Sequence, residues 1–118
     1  MDRLKRRSEF RAVGRGRRIS RPGFVLQALR ATETGREPRF GFTVTKKIGN
    51  AVVRNRIRRR LREVVRLSAA GGASESTDYV LIGRRAALRL PFDRLVDDLS
   101  SGMAALSQNE AAGSGSRA

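Results

Sequence analysis

Seven arginines stand at positions 54, 56, 58, 59, 60, 62 and 66 of this chain, with Glu63 the one acid among them. A guanidinium does no acid–base work near neutral pH. Its chemistry is to grip anions through a planar fork of donors, and phosphate fits that fork two bonds at a time. On a helix, like charges this dense repel at i,i+4 spacing by about 0.2–0.5 kcal/mol per pair. A helix shaped only for solubility would alternate Glu with Arg, so this segment calls for a polyanion that offsets its charge. Just ahead, Lys46 and Lys47 close an alternating stretch, Gly49 offers a turn and Asn50 is a candidate N-cap. Backbone N–H groups at 48–53, at the start of a helix, would add a second anion-binding element.

The periodicity says which elements must hold these groups. From Asn50 onward, Ile57, Leu61, Val64, Val65 and Ser68 fall on one helical face. Asn55, Arg59, Arg62 and Arg66 fall on the opposite one, with Arg56, Arg58 and Arg60 flanking the two. The apolar stripe can dock on a sheet and leave the arginines outside. A Gly/Ser loop is expected at 69–76. Upstream, the run 39–47 alternates: Phe40, Phe42 and Val44 make a core face, and Gly41, Thr43 and Thr45 make the other. The small second face leaves room for a ligand against the sheet, although the alternation alone fits an ordinary solvated face equally well.

The rest of the chain supplies a scaffold. Residues 1–14 predict a short basic helix with Leu4, Phe10 and Val13 on a stripe, Ser8 as a candidate N-cap for a second register and Gly14 as its stop. Residues 15–22 predict a loop or a short edge strand, and 24–31 a strand ended by a turn at Gly35 and Pro38. Residues 78–85 read as a buried strand. A closing helix is expected over 91–106, with Pro91 in its first turn and Leu95, Leu99 and Met103 as its stripe. The order is α-β-β-α-β-α, with a further short strand near 17–21. It predicts an α+β, two-layer sandwich in a single domain over 1–107, and a disordered tail over 108–118.

Composition bounds the chemistry. The 118 residues suffice for one domain. Of the +15 net charge, the first 66 residues carry 21 basic and 5 acidic side chains, and the remainder carry 5 and 6. Such asymmetry points to a nucleic acid. Arginine outnumbers lysine 23 to 3, although a GC-rich genome would also produce that ratio. The absence of Cys and His removes disulfides, thiol chemistry, the usual zinc sites and imidazole catalysis. No apolar run nears the roughly 18 residues of a membrane span, and no signal-peptide pattern opens the chain, so a cytoplasmic location is expected. Asp93, Asp97 and Asp98 form the one acidic cluster, read as a solvated helix face rather than a metal site. An independent nuclease is therefore disfavoured. A DNA-binding protein lacks support from any dimerising heptad or DNA motif. A ribosomal or other structural RNA-binding protein shares the charge and size and stays open.

The run FGFTVTKKIGNAVVRNRIRRRLRE, with its Arg54-Asn55-Arg56 core, resembles the signature of the bacterial ribonuclease P protein family. The LKRRSEFRAV segment and the FVLQAL and DYVLIGRR strands fit the same family, so the resemblance covers about residues 3–106. It implies a protein that binds a large catalytic RNA, one to one, as a monomer when free. Together they would remove the 5′ leader of precursor transfer RNA, with catalysis by the RNA and its Mg2+ and no cofactor or metal held by the protein alone. It implies α-β-β-β-α-β-α topology with a left-handed βαβ crossover, where general handedness rules favour the right-handed form. The RNA-contacting motif maps to Lys46, Lys47, Asn50, Arg54, Asn55, Arg56, Arg58, Arg59, Arg60 and Arg62. The leader cleft maps to Phe10 on the first helix, with Gly41, Thr43 and Thr45 as its floor. Two departures stand out: Gly14 and Gln27 occupy positions where relatives carry further aromatics. Arg11, Arg15, Arg17 and Arg18 are expected to compensate with charge.

Overall fold

Apolar side chains recur every second residue in the strands and every third or fourth in the long helices, so the two kinds of element can share one apolar layer. A computed structural model of the chain describes residues 2–31 and 35–116, with the side chains at 2, 69–72 and from 108 onward outside that description. The elements are β1 (Asp2–Arg3), α1 (Arg7–Gly14), β2 (Arg17–Ser20), β3 (Phe24–Arg30), β4 (Arg39–Thr43), α2 (Ala51–Gly72), β5 (Thr77–Gly83) and α3 (Phe92–Ser116). Short 3₁₀ turns at Lys46–Ile48 and Arg85–Leu88 precede α2 and α3.

The strands form one sheet in the order β1-β4-β5-β3-β2. β4 and β5 are parallel neighbours joined through α2, while β3 runs antiparallel to both β5 and β2. One face of the sheet carries Phe24, Leu26, Phe40, Val44, Tyr79 and Leu81, packed on Ile57, Leu61, Val64 and Val65 of α2 and on Leu95, Leu99 and Met103 of α3. The Phe40 and Tyr79 rings stack within it, 5.0 Å between centroids. Both helical stripes are buried where the periodicity places them, and Ser68 joins its stripe by donating to the Val64 carbonyl at 2.7 Å. The other face is covered by α1 alone, over a small cluster of Leu4, Val13 and Val80.

The structure differs from the sequence reading at element ends. The first helix starts at Arg7 because the Glu9 carboxylate accepts the Lys5 and Arg6 amides at 3.0 and 2.9 Å, so Ser8 lies inside the helix rather than capping it. Upstream, Asp2–Arg3 add a parallel strand to β4, continued by the Leu4 amide donating to the Phe40 carbonyl at 3.0 Å. The short strand expected near 17–21 is β2, which gives three strands between α1 and α2. α2 runs through the expected loop to Gly72, because Ala69 and Ala70 are strong helix formers that carry the helix into the glycine pair. α3 likewise continues past the expected end at 106 to Ser116, where a tail was expected from 108; residues 117 and 118 lie outside the described residues. Residues 32–34 of the expected turn also lie outside them, and Gly35 takes a positive φ of 77° at its end. Among the described residues no helix is long and apolar enough to cross a membrane.

Candidate nucleic-acid interface

α2 begins as its first residues dictate. Asn50 Oδ1 accepts the Val53 amide at 3.0 Å and its carbonyl accepts the Arg54 amide, which makes it the N-cap. Its side-chain oxygen is thereby committed to the helix. The amides of Ala51 and Val52 in that first turn have no intrahelical acceptor available. Gly49 is nearly extended at φ 163°, so the turn needs no left-handed residue. What glycine supplies is space, since a Cβ there would stand 3.0 Å from Val53 Cγ1. Lys46 and Lys47 lie exposed on the 3₁₀ turn just before the cap, rather than at the strand end.

Docking the apolar stripe sorts the arginines into three directions. Arg58 and Arg62 lie toward β4. Arg58 donates to Asn55 Oδ1 at 3.0 Å, which orients its guanidinium, and Arg62 sits 5.9 Å from the centre of the Phe42 ring. Arg54 is half-buried, its Nε enclosed without a partner among the described residues. Arg59 and Arg66 face outward; Arg66 pairs with Glu63, and that hydrogen bond holds the Glu63 carboxyl below its ordinary range. Val52, on the same outward side, is 62% exposed. Arg60 departs from the expected outward role. It is half-buried, donates to the Leu90 carbonyl at 2.6 Å and lies 5.5 Å from the centre of the Phe92 ring, so it ties α2 to the start of α3. Arg56 flanks the same side.

The groove beside the sheet lies nearer its edge than the sequence reading places it. β1 pairs only with Arg39 and Phe40, so beyond Phe40 the edge of β4 is open. There Phe42 and Thr43 line an open groove of about 370 Å³ with Lys5, Arg7 and Phe10 on one wall and Arg58 on the other. Phe10 and Thr43 therefore line the same groove. Gly41 does not form an open floor: a Cβ there would come within 2.5 Å of Phe10 Cε2 and 3.2 Å of Leu4 Cβ, so the first helix rests directly on it. Thr45 lies exposed past the strand, before the 3₁₀ turn. Arg11 and Arg15 are exposed but do not line the groove. Arg17 and Arg18 part company, because Arg17 pairs with Ala28 on the helix-covered face while Arg18 pairs with Gln27 on the α1 face. Gln27 is itself 8% exposed, a packed residue rather than an open floor. Gly14 faces open space, where a Cβ would meet nothing within 4 Å.

Lys5, Arg7 and Phe42 are groove residues the sequence reading passed over. Lys5 and Arg7 were legible only as general basic charge. Phe42 fell on the core face by alternation, and only the shortness of β1 leaves its ring partly open.

An ionic junction holds the groove wall in place. Arg39 donates to both Asp78 carboxylate oxygens, at 2.9 and 2.8 Å, and to Glu9 at 2.6 Å, while Arg36 also reaches Asp78 at 3.0 Å. The Arg6 and Lys5 amides, and then Arg39, hold the Glu9 carboxyl below the usual carboxylate range. Hydrogen bonding to Asp78 raises the Arg39 pKa further above its already high value. Glu9 thus caps α1 and fastens it to β4 at once. The acids on α3 make no comparable centre: Asp98 accepts from Arg94 at 3.4 Å, and among the described residues no three His, Cys, Asp or Glu side chains gather where a metal ion could be held.

Residues 1–107 match the family model described as Ribonuclease P. A ribonuclease P protein component of Brucella suis is 44% identical, the match covering 94% of this chain and 84% of that one. Its counterpart in Gluconacetobacter diazotrophicus is 52% identical over 82% of this chain and 84% of its own. Among solved structures, the ribonuclease P protein of Staphylococcus aureus superposes with a TM-score of 0.70 at 26% identity, covering 87% of this chain and 93% of that one. That of Thermotoga maritima gives 0.69 at 26% identity, covering 84% and 92%.

Proposed function

The chain belongs to the ribonuclease P protein family, a component of a ribonucleoprotein whose partner is RNA, and from that premise we propose how its surface is used. The exposed and flanking cations of α2 and of the turn before it, Lys46, Lys47, Arg54, Arg56, Arg58, Arg59 and Arg62, hold phosphates of the catalytic RNA. The groove between Phe10 and Thr43 takes the single-stranded 5′ leader of a precursor transfer RNA. The RNA subunit and its Mg2+ cut the leader, and the protein positions the substrate. One protein joins one RNA, in the cytoplasm.

The observation that carries this reading is the meeting of three elements at one open groove: an aromatic on α1, a small polar residue at the free end of β4 and an oriented arginine on α2. A single strand needs that combination, a stacking surface for bases beside cations for the backbone. No duplex-sized surface is required. A structural RNA-binding protein would have no use for the open edge.

The test adds the purified protein to its ribonuclease P RNA at low Mg2+, with precursor transfer RNA as substrate. Restored cleavage is expected, together with tighter binding of substrates that carry a leader than of those that lack one. No rescue, or affinity indifferent to the leader, would reject the reading. Because the contact relies on charge, the leader's contribution should shrink as salt rises.

A further inference from the structure

A second groove lies across α2 from the first. Arg56, Arg59, Arg60 and Glu63 of α2 face Leu88 and Phe92 across an open space of about 610 Å³. Its floor is apolar, made by two half-buried side chains that also pack on the core. Its rim is cationic. Arg60 is held in place by the Leu90 carbonyl and lies over the Phe92 ring, which presents a fixed guanidinium plane beside an aromatic. Arg56 and Arg59 are exposed and make no hydrogen bond or ion pair among the described residues, while the one acid, Glu63, is taken by Arg66.

We propose that this groove holds one unstacked nucleotide of the catalytic RNA, its base against Phe92 and the Arg60 plane and its phosphate on Arg56 and Arg59. The inference rests on the RNA-binding reading above and adds a site distinct from the leader groove. Charge complementarity selects the occupant, since three guanidiniums around the space face no free carboxylate. The Phe92 ring and the Arg60 guanidinium narrow it further, because a nucleobase stacks on aromatic and guanidinium planes whereas an acidic peptide would leave them uncovered. The space also exceeds what a lone phosphate needs. α2 would then be gripped by RNA on both flanks, with the leader groove on the β4 side and this nucleotide site on the α3 side.

The chain contains no tryptophan, so Phe92→Trp places a single fluorophore in the groove. Ala104→Trp, exposed three turns further along α3, serves as the control. Titration with ribonuclease P RNA, and separately with pentaadenylate, should quench the fluorophore at 92 at least about twofold more than the one at 104. Polyglutamate should quench neither. Phe92→Leu keeps the packing but removes the stacking surface, and should weaken binding of ribonuclease P RNA by about fivefold or more. The affinity ratio between substrates with and without a leader should stay unchanged. Equal quenching at 92 and 104, quenching at 92 by polyglutamate, or a Phe92→Leu loss confined to leader-bearing substrates would overturn the proposal. If Phe92→Leu fails to fold, the Trp quenching decides alone. Failure of the unmodified protein to bind its RNA would defeat the broader reading, whereas normal rescue with no quenching at 92 would defeat only this site.

Discussion

The two faces of the sheet are built to different standards. On one, two long helices cover a core that includes Phe24, Leu26, Phe40, Tyr79 and Leu81, with most of its side chains fully buried. On the other, an eight-residue helix rests on Leu4, Val13 and Val80, fastened at its N-terminal end by the Glu9–Arg39–Asp78 junction. The first face secures the fold. The second holds α1 with a few apolar contacts and an ionic fastening, and the groove opens beside it. Segments with few buried contacts are where local opening is cheapest, and binding surfaces draw on them. The molecule thus separates what keeps it folded from what shapes its groove.

Truncating the thick face should have the largest effect. Leu61→Ala, at a fully buried position, should cost about 2–5 kcal/mol and lower the whole thermal transition, as followed by circular dichroism. Arg39→Met should come next. It leaves Glu9 and the nearly buried Asp78 without their shared partner, although Arg36 still reaches Asp78, so a loss of about 1–3 kcal/mol is expected. Hydrogen exchange should locate its loosening in α1 with α2 protected. Equal loosening of both helices would show that the junction supports the whole fold rather than α1.

A smaller effect concerns acid. The Glu9 carboxyl titrates lower in the folded chain than its ordinary value, so its contribution is present above the ordinary carboxylate range and is lost as pH falls through the lowered one. Glu9→Gln should remove that part of the acid sensitivity, measured by denaturant titration at several pH values. Unchanged acid sensitivity would assign it to other carboxylates. Smallest for stability is Gly14→Phe, which points into open space one turn from Phe10 and should shift stability by no more than about 0.5 kcal/mol. It should nonetheless strengthen binding of leader-bearing substrate, because it lengthens the aromatic wall. No change in that affinity would show that the leader does not run along α1 past Phe10.

The Gly14 variant also sharpens the matter of compensation. Of the four arginines expected to replace missing aromatics, Arg17 lies on the wrong face of the sheet, and Arg11 and Arg15 stand outside the groove. Lys5 and Arg7, before and at the start of α1, line it together with Arg58 of α2.

Much of this was present in the chain before any folding. The 3.6-residue period of 57–68 determined which side of α2 is buried, and the two-residue period of 39–44 determined that Phe40 and Val44 enter the core. The Asn50 cap and the concentration of arginine are local facts, set by side-chain chemistry within a few residues. Tertiary structure decided the rest, because it depends on neighbours distant in sequence. A helical wheel places Arg58 and Arg60 as equivalent flanks, yet one meets Phe42, Thr43 and α1 while the other meets Leu90 and Phe92. Arg17 and Arg18 were adjacent in a basic run until pairing with β3 sent them to opposite faces. Phe42 became a groove residue only because β1 stops at its partner Phe40. Periodicity fixes direction relative to an element's own axis, and only packing says what stands in that direction.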